Sequence, residues 1–157
     1  MVRILNANNI VEIISYFKKN QKELYFSKKL DLLFTENHLQ LRNMIFNQYI
    51  IPVAEIIDSN ISKLALFDFR YCNKYSEFVV IMCGDINRDF LDECCIKLQK
   101  NDYSIKKMTV KFLLSDMDVN IMEMLRKENF DKELEVKMGD NTFYQFSLFY
   151  DLEEKGV

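Results

Sequence analysis

At 157 residues, 49% of them apolar and 29% charged, the chain is long enough to bury a core and too apolar for global disorder. A net charge of −3 and a pI near 5.3, with basic residues scattered apart from pairs such as Lys18-Lys19 and Lys28-Lys29, offer no footprint for nucleic acid or an anionic membrane. No apolar run approaches the ~20 residues that span a bilayer. Val2-Arg3-Ile4-Leu5 reads as a strand rather than a targeting segment, so a single domain over residues 1–157 in the cytoplasm is expected.

In chain order, Val2 to Leu5 is a short strand. Asn9, with Glu12 three residues on, has the pattern of a helix cap, and Ile10, Ile13, Ile14 and Phe17 recur at helical spacing. Leu30, Leu33 and Phe34 line a second helical face. Thr35 caps a third piece that carries the sole histidine, His38, with Phe34 and Leu39 spaced for a hydrophobic staple and Leu41, Met44 and Ile45 continuing its apolar face. The period then changes to two. Ile50–Ile57 and Lys63–Phe69 are strands joined by Asp58-Ser59-Asn60, and Pro52, which donates no ladder bond, belongs near a strand start or an edge. After a polar turn at Cys72-Asn73-Lys74, the continuous run Phe78–Cys83 suits a central strand covered on both faces. Asp89 to Lys100 is a helix with Phe90, Leu91, Cys94, Cys95 and Leu98 inward.

The four cysteines, Cys72, Cys83, Cys94 and Cys95, form no Cys-x-x-Cys pair, and adjacent Cys94 and Cys95 diverge on a helix. Free buried thiols and no metal site are expected. Three glycines and one proline leave few obligatory turns and no flexible linker.

From Ser104 to Tyr150 the order is strand, helix, turn-linked strands. Met108, Val110, Phe112 and Leu114 alternate into Ser115-Asp116-Met117-Asp118; an amphipathic Val119–Phe130 follows, ending Leu-Arg-Lys-Glu-Asn-Phe; two β-rich stretches then flank Gly139-Asp140-Asn141. Phe143, Gln145, Ser147 and Phe149 alternate with Tyr144, Phe146, Leu148 and Tyr150, so both faces of the last strand hold apolar area, and a helix or a second copy of the chain is expected to cover the second face. The order of elements over essentially the whole chain resembles the GNAT acyl-CoA N-acyltransferases. That likeness implies an α/β (α+β) fold with a mixed central sheet of six to seven strands and helices on both faces. It also implies a cleft between neighbouring parallel strands past Cys83.

The resemblance carries expectations about particular residues. Such enzymes hold acyl-CoA where the fourth strand meets the next helix, through a loop patterned Arg/Gln-x-x-Gly-x-Gly/Ala at a helix N-terminus. The corresponding stretch is Cys83-Gly84-Asp85-Ile86-Asn87-Arg88-Asp89-Phe90, so Cys83, Gly84, Asn87 and Arg88 are the implied cofactor contacts. It departs from the pattern in having one glycine. Asp85, Asp89, Asp92 and Glu93 surround the helix start, where carboxylates can satisfy the first-turn N–H groups and would repel a pyrophosphate by roughly 1–4 kcal/mol per close pair. The family's thiolate-reprotonating tyrosine aligns with Leu125, its preceding asparagine with Asp118 and its glycine with Asn129; Tyr144 and Tyr150 are the phenols left to substitute. Glu77 is the implied general base, with Glu55 and Asp68 behind it, and each is also an ordinary strand-end carboxylate. His38 reads as a helix-surface histidine.

Two functions follow. One is an acyl-CoA-dependent N-acyltransferase, with acetyl-CoA as co-substrate, acting on a small-molecule or peptide amine. The other is the same fold without CoA-dependent activity, serving as a binding or assembly module, with a homodimer in view.

Overall fold

The computed structural model describes residues 1–19, 38–69, 77–83, 87–103, 105, 107–114, 123, 125–139 and 141–149. Residues 24–34, Thr35, the Cys72-Asn73-Lys74 turn, Gly84 to Ile86, 115–118, Asp140 and Tyr150 lie outside them.

The described residues form a seven-stranded sheet in the order β1-β2-β3-β4-β5-β7-β6. Its strands are β1 (Val2–Ile4), β2 (Ile50–Ile57), β3 (Asn60–Asp68), β4 (Glu77–Cys83), β5 (Lys107–Leu114), β6 (Asp131–Met138) and β7 (Asn141–Phe149). Neighbours run antiparallel except β4 and β5, which are parallel. Among the described residues, α1 (Ile10–Lys19), α2 (His38–Phe46) and α3 (Arg88–Lys100) accompany them, and residues 125–127 are helical as well.

Strand alternation assigns the faces. Ile51 and Val53 of β2 and Ala65 and Phe67 of β3 pack with Phe90, Leu91, Cys94, Cys95 and Leu98 of α3, the inward set expected from helical spacing. Ile50 and Ala54, with Leu64 and Leu66, point the other way onto Ile13 and Ile14 of α1 and Leu41 and Ile45 of α2. Helices therefore cover both faces. Each fully buried aliphatic or aromatic side chain in these two clusters contributes roughly 1.5–3 kcal/mol. Leu125 and Phe130, from the connection between β5 and β6, join the α3 cluster. Two crossovers that advance in the same direction with the usual right hand put their helices on one face, and the shared cluster agrees.

Local chemistry differs from expectation in several places. Asn6, not Asn9, opens the first helical segment: its Oδ1 accepts from Asn8 N at 2.8 Å, while Asn9 Oδ1 accepts from Asn6 N at 3.1 Å. A single 3-10 turn, Ala7–Asn9, precedes α1, so the capping box moves three residues upstream. Leu39 is 63% exposed, and Phe34, the partner expected to staple it, lies outside the described residues. The β2–β3 turn uses two residues, Asp58 and Ser59, at φ of 52° and 66°, and Asn60 already pairs with Ile57. Two successive left-handed residues match the twist of a hairpin, which is why the turn closes one residue early. Pro52 sits at the third position of β2, where Leu5 N donates to its carbonyl at 2.8 Å just past the end of β1. Its missing N–H thus costs the last rung of a three-residue edge ladder rather than a central one.

With so few glycines, the helices end on other residues. Tyr49 N donates to Met44 O and Gln48 N to Ile45 O, with Gln48 at φ 63°; Tyr103 N donates to Leu98 O and Asp102 N to Gln99 O, with Asp102 at φ 68°. Both are Schellman closures built on a non-glycine left-handed residue.

Candidate active site

β4 and β5 begin as a regular parallel pair. Glu77 faces Lys107, Phe78 faces Met108 and Val79 faces Thr109. No further rung between the two strands is present among the described residues, although β4 runs on to Cys83 and β5 to Leu114. Each strand keeps its other neighbour: Val80, Ile81, Met82 and Cys83 stay paired with Phe67, Leu66, Ala65 and Leu64 of β3, and Val110 to Leu114 with Phe146 to Thr142 of β7. The sheet opens in its middle while both halves remain intact. Two facing strand edges with backbone groups unpaired across the gap can take up an extended ligand carrying amides of its own.

α3 starts beside that opening. Asn87 is its cap: the backbone is extended, Oδ1 accepts from Phe90 N at 2.9 Å, and Leu91 N donates to Asn87 O at 3.0 Å. A neutral amide therefore holds the third-residue N–H, where carboxylates were expected to do so. Asp92 Oδ1 accepts from Arg88 Nε at 3.0 Å, and the two charges largely cancel. Asp89 and Glu93 are exposed. Arg88 Nη1 also donates to Glu128 O at 3.2 Å, so its guanidinium faces the connection before β6.

The other residues singled out by the sequence fall at distinct points. Glu77 is the first residue of β4, two rungs before the ladder ends, and Tyr144 of β7 pairs with Phe112 of β5, three rungs beyond that end. Cys83 ends β4 and pairs with Leu64; Gly84 is outside the described residues. Asp68 is fully buried and pairs with Ile50 and Val79, level with the last β4–β5 rung. Glu55 accepts from Ser62 Oγ at 2.7 Å and lies 3.8 Å from Lys63 Nζ. His38 begins α2, and its side chain is outside the described set. Leu125 is fully buried. Cys94 and Cys95 are free and buried; burial first, then the neighbouring Cys95 and the carboxylates Glu93 and Glu55, pushes the Cys94 thiol well above its ordinary value, so it is no nucleophile.

One residue escaped the sequence reading. Lys63 Nζ lies 5.9 Å from the centroid of the Phe90 ring, putting a cation over the first turn of α3. Only the register, with the next residue Leu64 opposite Cys83, brings it there. A cleft of about 340 Å³ lies elsewhere, at the β1 edge between Asn6, Ile45, Pro52 and Tyr103, and the strand opening does not contribute to it.

The fold as a whole has counterparts among solved structures. A GNAT-family acetyltransferase from Streptococcus pneumoniae superposes with a TM-score of 0.65 at 12% identity, covering 96% of this chain and 99% of that one. The chain has the GNAT fold. Ribosomal-protein-S5-alanine acetyltransferase from Vibrio fischeri matches at TM-score 0.63 and 14% identity, over 96% of this chain and 92% of that one. Aminoglycoside 6′-acetyltransferase type Ii matches at 0.65 and 7%, over 95% and 96%. No family model matches the sequence, and no curated protein matches it. Among the described residues of this GNAT fold, no cluster of three or more His, Cys, Asp or Glu could hold a metal ion, and no helix is long and apolar enough to cross a membrane.

Proposed function

We propose that this chain is an acyl-CoA-dependent N-acyltransferase that uses acetyl-CoA to acetylate an amine in the cytoplasm. The observation that carries the reading is the loss of β4–β5 pairing after Val79 and Thr109, immediately before the Asn87-capped start of α3. An extended pantetheine arm fits between two such strand edges, and the main chain after Cys83, with Gly84 and Asn87, would meet the pyrophosphate near the positive end of α3. Arg88–Asp92 pairing removes one of the acidic charges that stood against this, and the ammonium of Lys63, 3.8 Å from Glu55, lies over the same turn.

In the reaction the amine nitrogen bonds to the thioester carbonyl carbon and the C–S bond breaks. The amine gives up a proton, and the departing thiolate takes one. Glu77 is the proposed base, supported by its place on β4 just before the strands part; Tyr144 is the proposed acid, supported by its pairing with Phe112 on the diverging arm of β5. Unpaired β4 amides beyond Val79 would hold the carbonyl oxygen as charge develops on it.

Leu125 favours a second reading. At the position the family gives to a tyrosine, this chain has a fully buried core residue, as a binding or assembly module such as a homodimer would tolerate. Calorimetric and thermal titration with acetyl-CoA separates the two. Free ligand at about 100 times its dissociation constant should stabilise an acyltransferase by ~2.7 kcal/mol. No shift at millimolar acetyl-CoA would select the module.

A further inference from the structure

Arg88 occupies a poor place for a cation. It is the first residue after the α3 cap, at the positive end of the helix, and an arginine four residues before an aspartate is the weaker order for such a pair. The helix itself gives no reason for it. The far end of its hydrogen bond does.

Residues 125–127 are helical and close on a Schellman motif: Phe130 N donates to Leu125 O at 2.9 Å, Asn129 N to Arg126 O at 3.1 Å, and Asn129 takes φ 66°. Such a motif satisfies the carbonyls of its first two residues and leaves the capping residue's carbonyl for another donor. That residue is Glu128, and Arg88 Nη1 reaches its carbonyl oxygen at 3.2 Å while Nε stays 3.0 Å from Asp92 Oδ1. A cation unfavourable at the start of α3 is favourable at the end of this helix. α3 follows β4 in the chain and the helical residues 125–127 follow β5, so the bond ties together the elements that come after the two strands that part.

We propose that Arg88 is a positioning residue, a strut between the arms of the β4–β5 opening that sets their separation, and not itself a phosphate ligand. Its effect on acetyl-CoA rests on the acyltransferase reading; the strut does not.

Arg88→Gln, Arg88→Lys and Asp92→Asn test it, the last leaving the guanidinium in place should the first fold poorly. Two readouts are needed: hydrogen exchange at the Asn129 and Phe130 amides, and affinity for acetyl-CoA and for acetyl-pantetheine, which lacks the pyrophosphate. A strut predicts exchange at those amides faster by about tenfold or more in Arg88→Gln, the scale of a lost charge-assisted hydrogen bond. Both thioesters should weaken by the same factor, Asp92→Asn should move in the same direction, and Arg88→Lys should recover part of the loss. Unchanged exchange would overturn the proposal. So would a loss confined to acetyl-CoA with tighter binding by Asp92→Asn, the signature of a direct phosphate contact. Wild-type protein that binds neither thioester would remove the acyltransferase reading, and the exchange result alone would then decide the strut.

Discussion

Val79 and Thr109 form the last rung of the only parallel ladder among the described residues, and the two strands continue past it for four and five residues without meeting again. The cross-strand partners on the outer sides explain why this opening survives. β3 holds β4 through Cys83, and β7 holds β5 through Leu114, so neither arm depends on the missing rungs for its own hydrogen bonds.

Glu77→Gln should lower turnover by about 10²–10⁴-fold while leaving acetyl-CoA affinity within twofold, since general-base removal acts on the proton and not on the cofactor. Steady-state rates beside calorimetric affinities check this. Unchanged turnover takes Glu77 out of the mechanism.

Asn87→Asp separates capping from charge. Aspartate caps as well as asparagine, so stability should stay within about 0.5 kcal/mol. A carboxylate at the mouth of α3 should nonetheless weaken acetyl-CoA by about tenfold or more, from repulsion of ~1–4 kcal/mol against the pyrophosphate. Equal affinity in the variant would mean that the cofactor phosphates lie elsewhere.

Leu125→Ala should cost about 2–5 kcal/mol in denaturant unfolding, the range for a fully buried leucine. Turnover per folded molecule should stay close to wild type. A selective loss of activity without loss of stability would give the position a chemical role that its burial does not predict.

Gln48→Gly relieves a side chain held at φ 63° on the surface. The left-handed strain removed exceeds the extra chain entropy of glycine, so a net gain of about 0.5–1 kcal/mol is expected. Thermal melts would register a rise of roughly 2–4 °C for each kcal/mol in a chain of this size. A fall instead would show that Gln48 makes a compensating contact.

Cys94 should resist thiol reagents at pH 8, labelling no faster than the protein unfolds, as followed by site-resolved mass spectrometry. Its folded pKa is raised above the ordinary 9.0, chiefly by burial, so the folded state keeps a proton that the unfolded chain would release. The stability from this thiol is thus intact below about pH 9 and declines as pH rises beyond it. Labelling at the rate of an exposed thiol would contradict the packing of α3.

Several elements were legible in the residues. The inward face of α3 follows from helical spacing alone, because Phe90, Leu91, Cys94, Cys95 and Leu98 lie within one stripe and a helix has one way to bury it. The apolar run of β4 announced a central strand. The Asn6 cap and the two-residue Asp58-Ser59 turn were misread, because neighbouring asparagines and polar turn residues offer near-equivalent local solutions that packing then chooses between.

The site divides along the same line. Composition and periodicity determined a two-faced sheet with helices between its strands, since those depend on which residues must leave water. Register is a property of pairs far apart in the chain, and it decided where β4 and β5 part, that Lys63 reaches Phe90, and that Asp68 sits level with the last rung. Arg88 could be seen in the sequence as a cation beside a candidate phosphate loop. Only the folded chain could hand it the Glu128 carbonyl, because that acceptor exists only once a helix forty residues away has ended.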